Sequence, residues 1–139
     1  MNLTRREALV VGAGGIAVAM LPLSANAAAI DDVISAFTGG ASMGEGDVTL
    51  TAPEIAENGN TVPISVEAPG ASEILVLASG NPTPKVCTFK FGPASGSQMA
   101  STRIRLAKTQ DVIAIAKMGD GSFVKTAATV KVTIGGCGG

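Results

Sequence analysis

Two sulfur atoms are the most reactive groups in this chain. Cys137 stands in the terminal run Gly135-Gly136-Cys137-Gly138-Gly139, and Cys87 lies in an apolar stretch far upstream. Little else in the composition offers chemistry. The 139 residues include no His, no Trp, no Tyr and four Phe. Without His there is no Ser-His-Asp or Cys-His catalytic unit and no imidazole metal ligand. Two Cys are too few for a protein-only zinc or iron–sulfur site, so neither a metal nor a cofactor is expected on this chain. The scarcity of aromatics removes a stacking platform for bases. A formal net charge of −1 gives no basic footprint for nucleic acid.

The surroundings of Cys137 define what its thiol can do. Glycine has no Cβ, so four glycines around one cysteine prefer neither helix nor strand and add little bulk. The five residues read as a thin, mobile arm that reaches at most ~18 Å when extended. A thiol on such an arm can enter a narrow cleft on another protein. Its thiolate is the nucleophile, and an unperturbed thiol has a pKa of about 8.5. Nothing in the local sequence lowers that value, and the nearby terminal carboxylate would tend to raise it. The pattern therefore indicates a covalent attachment point whose chemistry a partner's active site supplies, not a self-activated catalytic cysteine. A free arm of this kind predicts that Val at position 136 or 138 would reduce transfer with little loss of stability.

Other readings of the sulfurs stand beside this one. Cys137 could pair with Cys87 in an oxidising compartment, or with a second Cys137 as a dimerising device. Cys87 shares a strand face with Phe89 and Phe91, which points it into the core as a small apolar residue. A structural or binding module with a redox-sensitive tail is the alternative function.

The elements that must position the arm read as one small domain. Residues 1–27 look like a removable address: an Arg5-Arg6 pair, a glycine-diluted apolar stretch from Leu9 to Leu23, and an Ala25-Asn26-Ala27 cleavage site. Thr4-Arg5-Arg6-Glu7-Ala8-Leu9 resembles a twin-arginine export signal, which sends the remaining chain to the periplasm; an ordinary secretory signal is the alternative. Residues 28–134 then form the domain and residues 135–139 the arm. Asp31–Phe37 is the one helical candidate, ended by Gly39-Gly40. Seven strand signals follow, at 47–51, 62–66, 74–78, 86–91, 100–106, 112–118 and 123–134. Pro63 argues for an edge or a strand start, and the apolar run Ile74–Ala78 for burial on both faces. This pattern gives an all-β chain, an immunoglobulin-like β-sandwich with one short N-terminal helix; a small barrel is the alternative.

Charge is segregated along the domain. All its basic residues lie from Lys85 onward, while eight acidic residues fall between Asp31 and Glu73. Either acidic and basic strands lie side by side in one sheet, or a dipolar surface orients the domain on a partner.

The terminal pentapeptide after Val130-Lys131-Val132-Thr133-Ile134 resembles the SoxY sulfur-carrier proteins of the bacterial sulfur-oxidising system. Ala56-Glu57-Asn58-Gly59, Asn81-Pro82-Thr83-Pro84, Ser101–Ala107 and Ala116–Phe123 look like family segments in family order. The resemblance implies a carrier subunit, not an enzyme, that holds thiosulfate-derived intermediates on Cys137, with Gly135, Gly136, Gly138 and Gly139 as its flexible arm. It implies a SoxZ-like subunit as heterodimer partner. It also implies three enzymes that act on the cargo: a heme-containing thiosulfate-linking enzyme, a sulfate-releasing hydrolase and a sulfane dehydrogenase. At the position of Cys87 it implies an aliphatic residue or Ala, so a second thiol there is a departure.

Overall fold

The computed structural model describes residues 25–136. The expected export signal therefore falls almost wholly outside the described residues, as do Cys137, Gly138 and Gly139.

The chain opens with helix α1 (Ala25–Thr38) and continues through nine strands: β1 (Met43–Gly44), β2 (Thr49–Thr51), β3 (Ile55–Ala56), β4 (Val62–Glu67), β5 (Ala71–Ala78), β6 (Lys85–Lys90), β7 (Met99–Ile104), β8 (Gln110–Met118) and β9 (Phe123–Val132). They form an immunoglobulin-like sandwich. The larger sheet runs β1-β9-β8-β5-β6, with β3 also paired to β9; the smaller runs β2-β4-β7. The seven strands of three residues or more correspond one to one with the seven strand signals. β1 and β3, two residues each, are short parallel additions to β9.

Period-two alternation builds the core between the sheets. Val62, Ile64 and Val66 of β4 face Ile74, Val76 and Ala78 of β5, joined by Ile104, Leu106, Val112, Ala114 and Val130. The apolar run of β5 has a second reason to be continuous. Its other face, Leu75 and Leu77, joins Ile115 and Phe123 beneath α1, which contributes Ile30, Val33, Ile34 and Phe37. The larger sheet is thus covered on both faces, by a sheet on one and a helix on the other.

Three local expectations are corrected. The helix starts six residues earlier than Asp31, because Ala27, Ala28 and Ala29 are strong helix formers that continue the turn backwards. Its end is as read: Gly39 and Gly40 take φ of 66° and 84°, the left-handed conformation glycine adopts without strain. Second, of the two readings of Pro63 the strand start holds and the edge does not: Pro63 is the second residue of β4, the central strand of the smaller sheet. Pro63 is tolerated there because β2 ends at Thr51, opposite Ser65, so Pro63 has only Arg103 of β7 beside it. Third, Cys87 is half-buried, not deep in the core. It sits opposite Val76 on β6, the edge strand of the larger sheet, and packs against the core margin.

Candidate arm root

At the end of β9 and past it the chain remains attached to the domain. Lys131 and Thr133 donate N–H bonds to the carbonyls of Glu54 (2.9 Å) and Ala56 (3.1 Å), and the Thr133 hydroxyl donates to the Glu57 carbonyl at 3.0 Å. The 54–59 segment then turns at Asn58-Gly59-Asn60, where the Asn58 side chain accepts the Asn60 N–H at 3.0 Å. Gly59 N–H reaches back to the Ile134 carbonyl at 2.7 Å.

The last described bond comes from a different element. Gly136 donates its N–H to the Leu106 carbonyl at 2.8 Å, and Leu106 donates its own to the Gly59 carbonyl at 2.8 Å. Three backbones, 59, 106 and 134–136, therefore meet in one small cradle. Both Gly59 and Gly136 are buried in it. A Cβ on Gly136 would lie 2.7 Å from the Gly59 carbonyl oxygen, and one on Gly135 would fall against the Ala107 carbonyl oxygen. At these two glycines backbones approach closely. The segment expected to be a free arm from Gly135 onward is thus seated at its root, Gly135 and Gly136, while its remaining residues lie outside the described ones. Val at position 136 now carries a stability cost that the free-arm reading did not include.

The cradle is held from below by two buried polar side chains. Asn81 is 2% exposed and Gln110 7%. Asn81 donates from Nδ2 to the Arg105 carbonyl at 2.8 Å, while its Oδ1 accepts the Ala107 N–H at 3.0 Å. Gln110 donates from Nε2 to Asn81 Oδ1 (2.8 Å) and to the Lys108 carbonyl (3.0 Å), and its Oε1 accepts the Gly80 N–H at 2.8 Å. The Asn81-Pro82-Thr83-Pro84 run was legible as a stiff loop. That its Asn would be a buried hydrogen-bonding hub was not, since a polar residue before proline most often marks a surface turn.

Cys87 lies on β6, outside the cradle, and is a free thiol. Burial pushes its pKa up, so it holds less thiolate at neutral pH than an exposed cysteine would. Among the described residues no cluster of three or more His, Cys, Asp or Glu could hold a metal ion.

The segregated charges are largely unpaired. Glu73 of β5 lies between Lys90 of β6 and Lys117 of β8, and Glu73–Lys90 at 3.6 Å is the one ion pair among the described residues. Acidic and basic strands adjoin in both sheets, β5 beside β6 and β8 and, with Glu67 and Arg103, β4 beside β7, but only Glu73 and Lys90 come within ion-pair distance among the described residues. A groove of about 410 Å³ between the 81–86 segment and the end of β7 is lined by Lys85, Arg103 and Arg105. A larger open groove of about 770 Å³ lies where β2 stops short beside Pro63 and Ile64, and it includes none of the cradle residues.

A family model described as sulfur oxidation protein SoxY matches residues 34–137, from within α1 to the cysteine one residue beyond the cradle. The chain belongs to the SoxY family. It is 36% identical to the sulfur carrier protein SoxY from Chlorobium limicola f thiosulfatophilum, with a TM-score of 0.67 over 78% of this chain and 99% of that one. Superoxide reductases (neelaredoxins) from Ignicoccus hospitalis are similar at 16% identity, one with a TM-score of 0.55 over 61% of this chain and 78% of that one. That likeness shows a shared sandwich and nothing more. A comparison with curated proteins gives no match. The whole cradle, from Gly59 through Asn81 and Leu106 to Gly136, falls within the segment that the SoxY model matches.

Proposed function

We propose that this protein is a covalent sulfur carrier whose attachment point is Cys137. The observation that carries the reading is that the SoxY match runs through residue 137, directly after a backbone root seated as far as Gly136. Cys137 follows that root directly in sequence, and a thiol near the end of a chain suits delivery into a partner's cleft.

The chemistry balances with Cys137 as the sulfur acceptor. In the first step the thiol of Cys137 loses its proton and forms an S–S bond to thiosulfate. Two electrons leave to a heme-containing partner enzyme, and the product is a cysteine S-thiosulfonate. A hydrolase then adds water at the terminal sulfone sulfur. Sulfate departs and a persulfide remains on Cys137. A sulfane dehydrogenase, where one acts, takes six electrons from that outer sulfur to an electron acceptor while three waters supply oxygen, which leaves a cysteine S-sulfonate; a second hydrolysis then releases sulfate and returns the Cys137 thiol. The carrier itself contributes a nucleophile, a leaving group and a position; Cys87, with its thiol pKa raised, takes no part. In this reading the chain works in the periplasm after twin-arginine export, as a heterodimer with a SoxZ-like subunit.

Intact-protein mass spectrometry of periplasmic protein from thiosulfate-fed cells tests this, with and without reductant. Reductant-labile added masses of sulfur and sulfonate, mapped to Cys137 and lost in Cys137→Ser, are expected. An unmodified mass, or only a Cys87–Cys137 disulfide, would return the protein to the structural-module reading.

A further inference from the structure

β7 is an edge strand, so half of its backbone groups face away from β4. Antiparallel pairing alternates along a strand, and one bond sets the phase for all. The N–H of Ala68 donates to the Gln98 carbonyl at 3.0 Å, one step beyond the Glu67–Met99 pair. Residues 100, 102 and 104 therefore bond to β4, while Ser101 and Arg103 turn their N–H and C=O groups outward. The next groups past the strand show where that side leads. The Asn81 side chain, an amide like the backbone's own, donates to the Arg105 carbonyl at 2.8 Å and accepts the Ala107 N–H at 3.0 Å. Asn81 thus fills one rung of a ladder whose following rungs, at Arg103 and Ser101, have no partner strand among the described residues. The groove of about 410 Å³ runs along this same edge. Its three cations, Lys85, Arg103 and Arg105, are all exposed, and none lies within ion-pair distance of a carboxylate among the described residues.

We propose that the β7 edge receives an extended, acidic segment of a partner protein as a fourth strand of the smaller sheet, with carboxylates at alternate positions. The outward N–H and C=O groups of Ser101 and Arg103 supply the rungs, as they do wherever a peptide adds to a sheet edge. Charge selects the occupant. Ile104 faces the core, so Arg103 and Arg105 on either side of it lie on the outward face. Carboxylates two residues apart in the added strand would meet both arginines, since cross-strand neighbours share a face. Lys85, at the start of β6, adds a third cation to the same groove. A second copy of this chain is a poorer occupant, because pairing β7 with itself would bring two sets of arginines into one interface. Cations on an edge strand deter such chance pairing between copies, and an acidic strand is the one they admit. The proposal stands whether or not Cys137 carries sulfur.

The test titrates a blocked synthetic peptide, Thr-Glu-Thr-Glu-Thr-Glu-Thr, into the full chain kept reduced, and follows the backbone amides by NMR. Saturable shifts centred on the Ser101 and Arg103 amides are expected, with a Kd of about 0.1–1 mM for so short a probe. Hydrogen exchange at those two amides should slow about fivefold or more at saturation. Replacing Arg103 and Arg105 together by Gln should raise the Kd about tenfold, with the melting temperature unchanged because both side chains are exposed and unpaired. Should that double variant not fold, Arg103→Gln decides by the same criterion. Two further peptides separate strand addition from surface charge, one N-methylated at its Glu residues and one at its Thr residues. Only one side of an added strand faces β7, so one of them should lose binding about tenfold while the other keeps it within about threefold. No shift at about 5 mM peptide overturns the proposal. So does equal binding of the two N-methylated peptides, or of a peptide with Lys in place of Glu. Self-association of the chain that shields Ser101 and Arg103 and excludes the peptide would make a second copy the occupant, and overturns it too.

Discussion

Gly59 and Gly136 meet backbone to backbone, and the sequence alone cannot distinguish that use of glycine from flexibility. A Cβ on Gly59 would fall against the Leu106 carbonyl oxygen and lie 2.7 Å from Gly136 N and 2.9 Å from the Ile134 oxygen. All three neighbours are main-chain atoms that cannot rotate away. Gly59→Ala is therefore expected to pull apart the bonds through Leu106 and Ile134 and to cost about 1–3 kcal/mol. Gly92 is the contrast: nothing lies within 4 Å of its Cβ position, and its φ is not positive. Gly92→Ala should leave stability unchanged or raise it by up to about 1 kcal/mol through a less flexible unfolded chain. Urea unfolding followed by circular dichroism separates the two, and coincident midpoints would remove the cradle from the account. The pentapeptide's glycines were legible as an absence of side chains, which is correct. Whether that absence serves motion or close approach depends on what lies opposite, and Leu106 and Gly59 are remote in sequence.

Strands were easier to read than their neighbours. Each of the seven longer strands announces itself by alternation bounded by turn residues, because one face must be apolar and the other need not be. β5 also declared its central place, since burial beneath both a sheet and a helix leaves no polar position from Ile74 to Ala78. Pro63 reports only the first half of β4, where residues 62–64 are paired on one side; residues 65–67 are paired on both. The helix was underestimated at its start because its alanines carry no amphipathic signal. Its packing is nevertheless specific. Phe37 meets Phe123 edge to face, with ring centroids 5.7 Å apart and planes at 69°. Phe37 is half-buried, so Phe37→Ala should destabilise by about 1–3 kcal/mol, below the usual cost of a fully buried Phe. Thermal unfolding measures this. A melting temperature equal to that of the parent would mean that α1 only rests on the larger sheet without stabilising it.

Electrostatics across the domain give unusually flat expectations. The single described ion pair joins Glu73 to a Lys90 side chain that is 77% exposed, a geometry worth little in water and screened further by salt. Raising NaCl from about 0.05 to 0.5 M should therefore move the melting temperature by no more than a few degrees. Protons behave similarly. The chain has no His and no Tyr, so no unperturbed side chain titrates between about pH 6 and 8. Stability should be level across that window and fall on either side, for reasons that can be assigned. On the acid side, Asp120 has its pKa lowered by hydrogen bonds from the Ser122 hydroxyl and N–H. Its contribution is present above the ordinary value of 3.8 and is lost as pH falls through the lowered one. On the alkaline side, burial raises the Cys87 pKa above that of an ordinary thiol. The folded state then holds that proton more tightly than the unfolded chain does. Its contribution is full below the ordinary value and drains away as pH rises through the raised one. Melting temperatures measured from pH 3 to 10.5 should form a plateau with two shoulders, and Cys87→Ala should weaken the alkaline shoulder while leaving the acid one in place. A step between pH 6 and 8, or an alkaline shoulder indifferent to Cys87→Ala, would mean that another group couples protons to this fold.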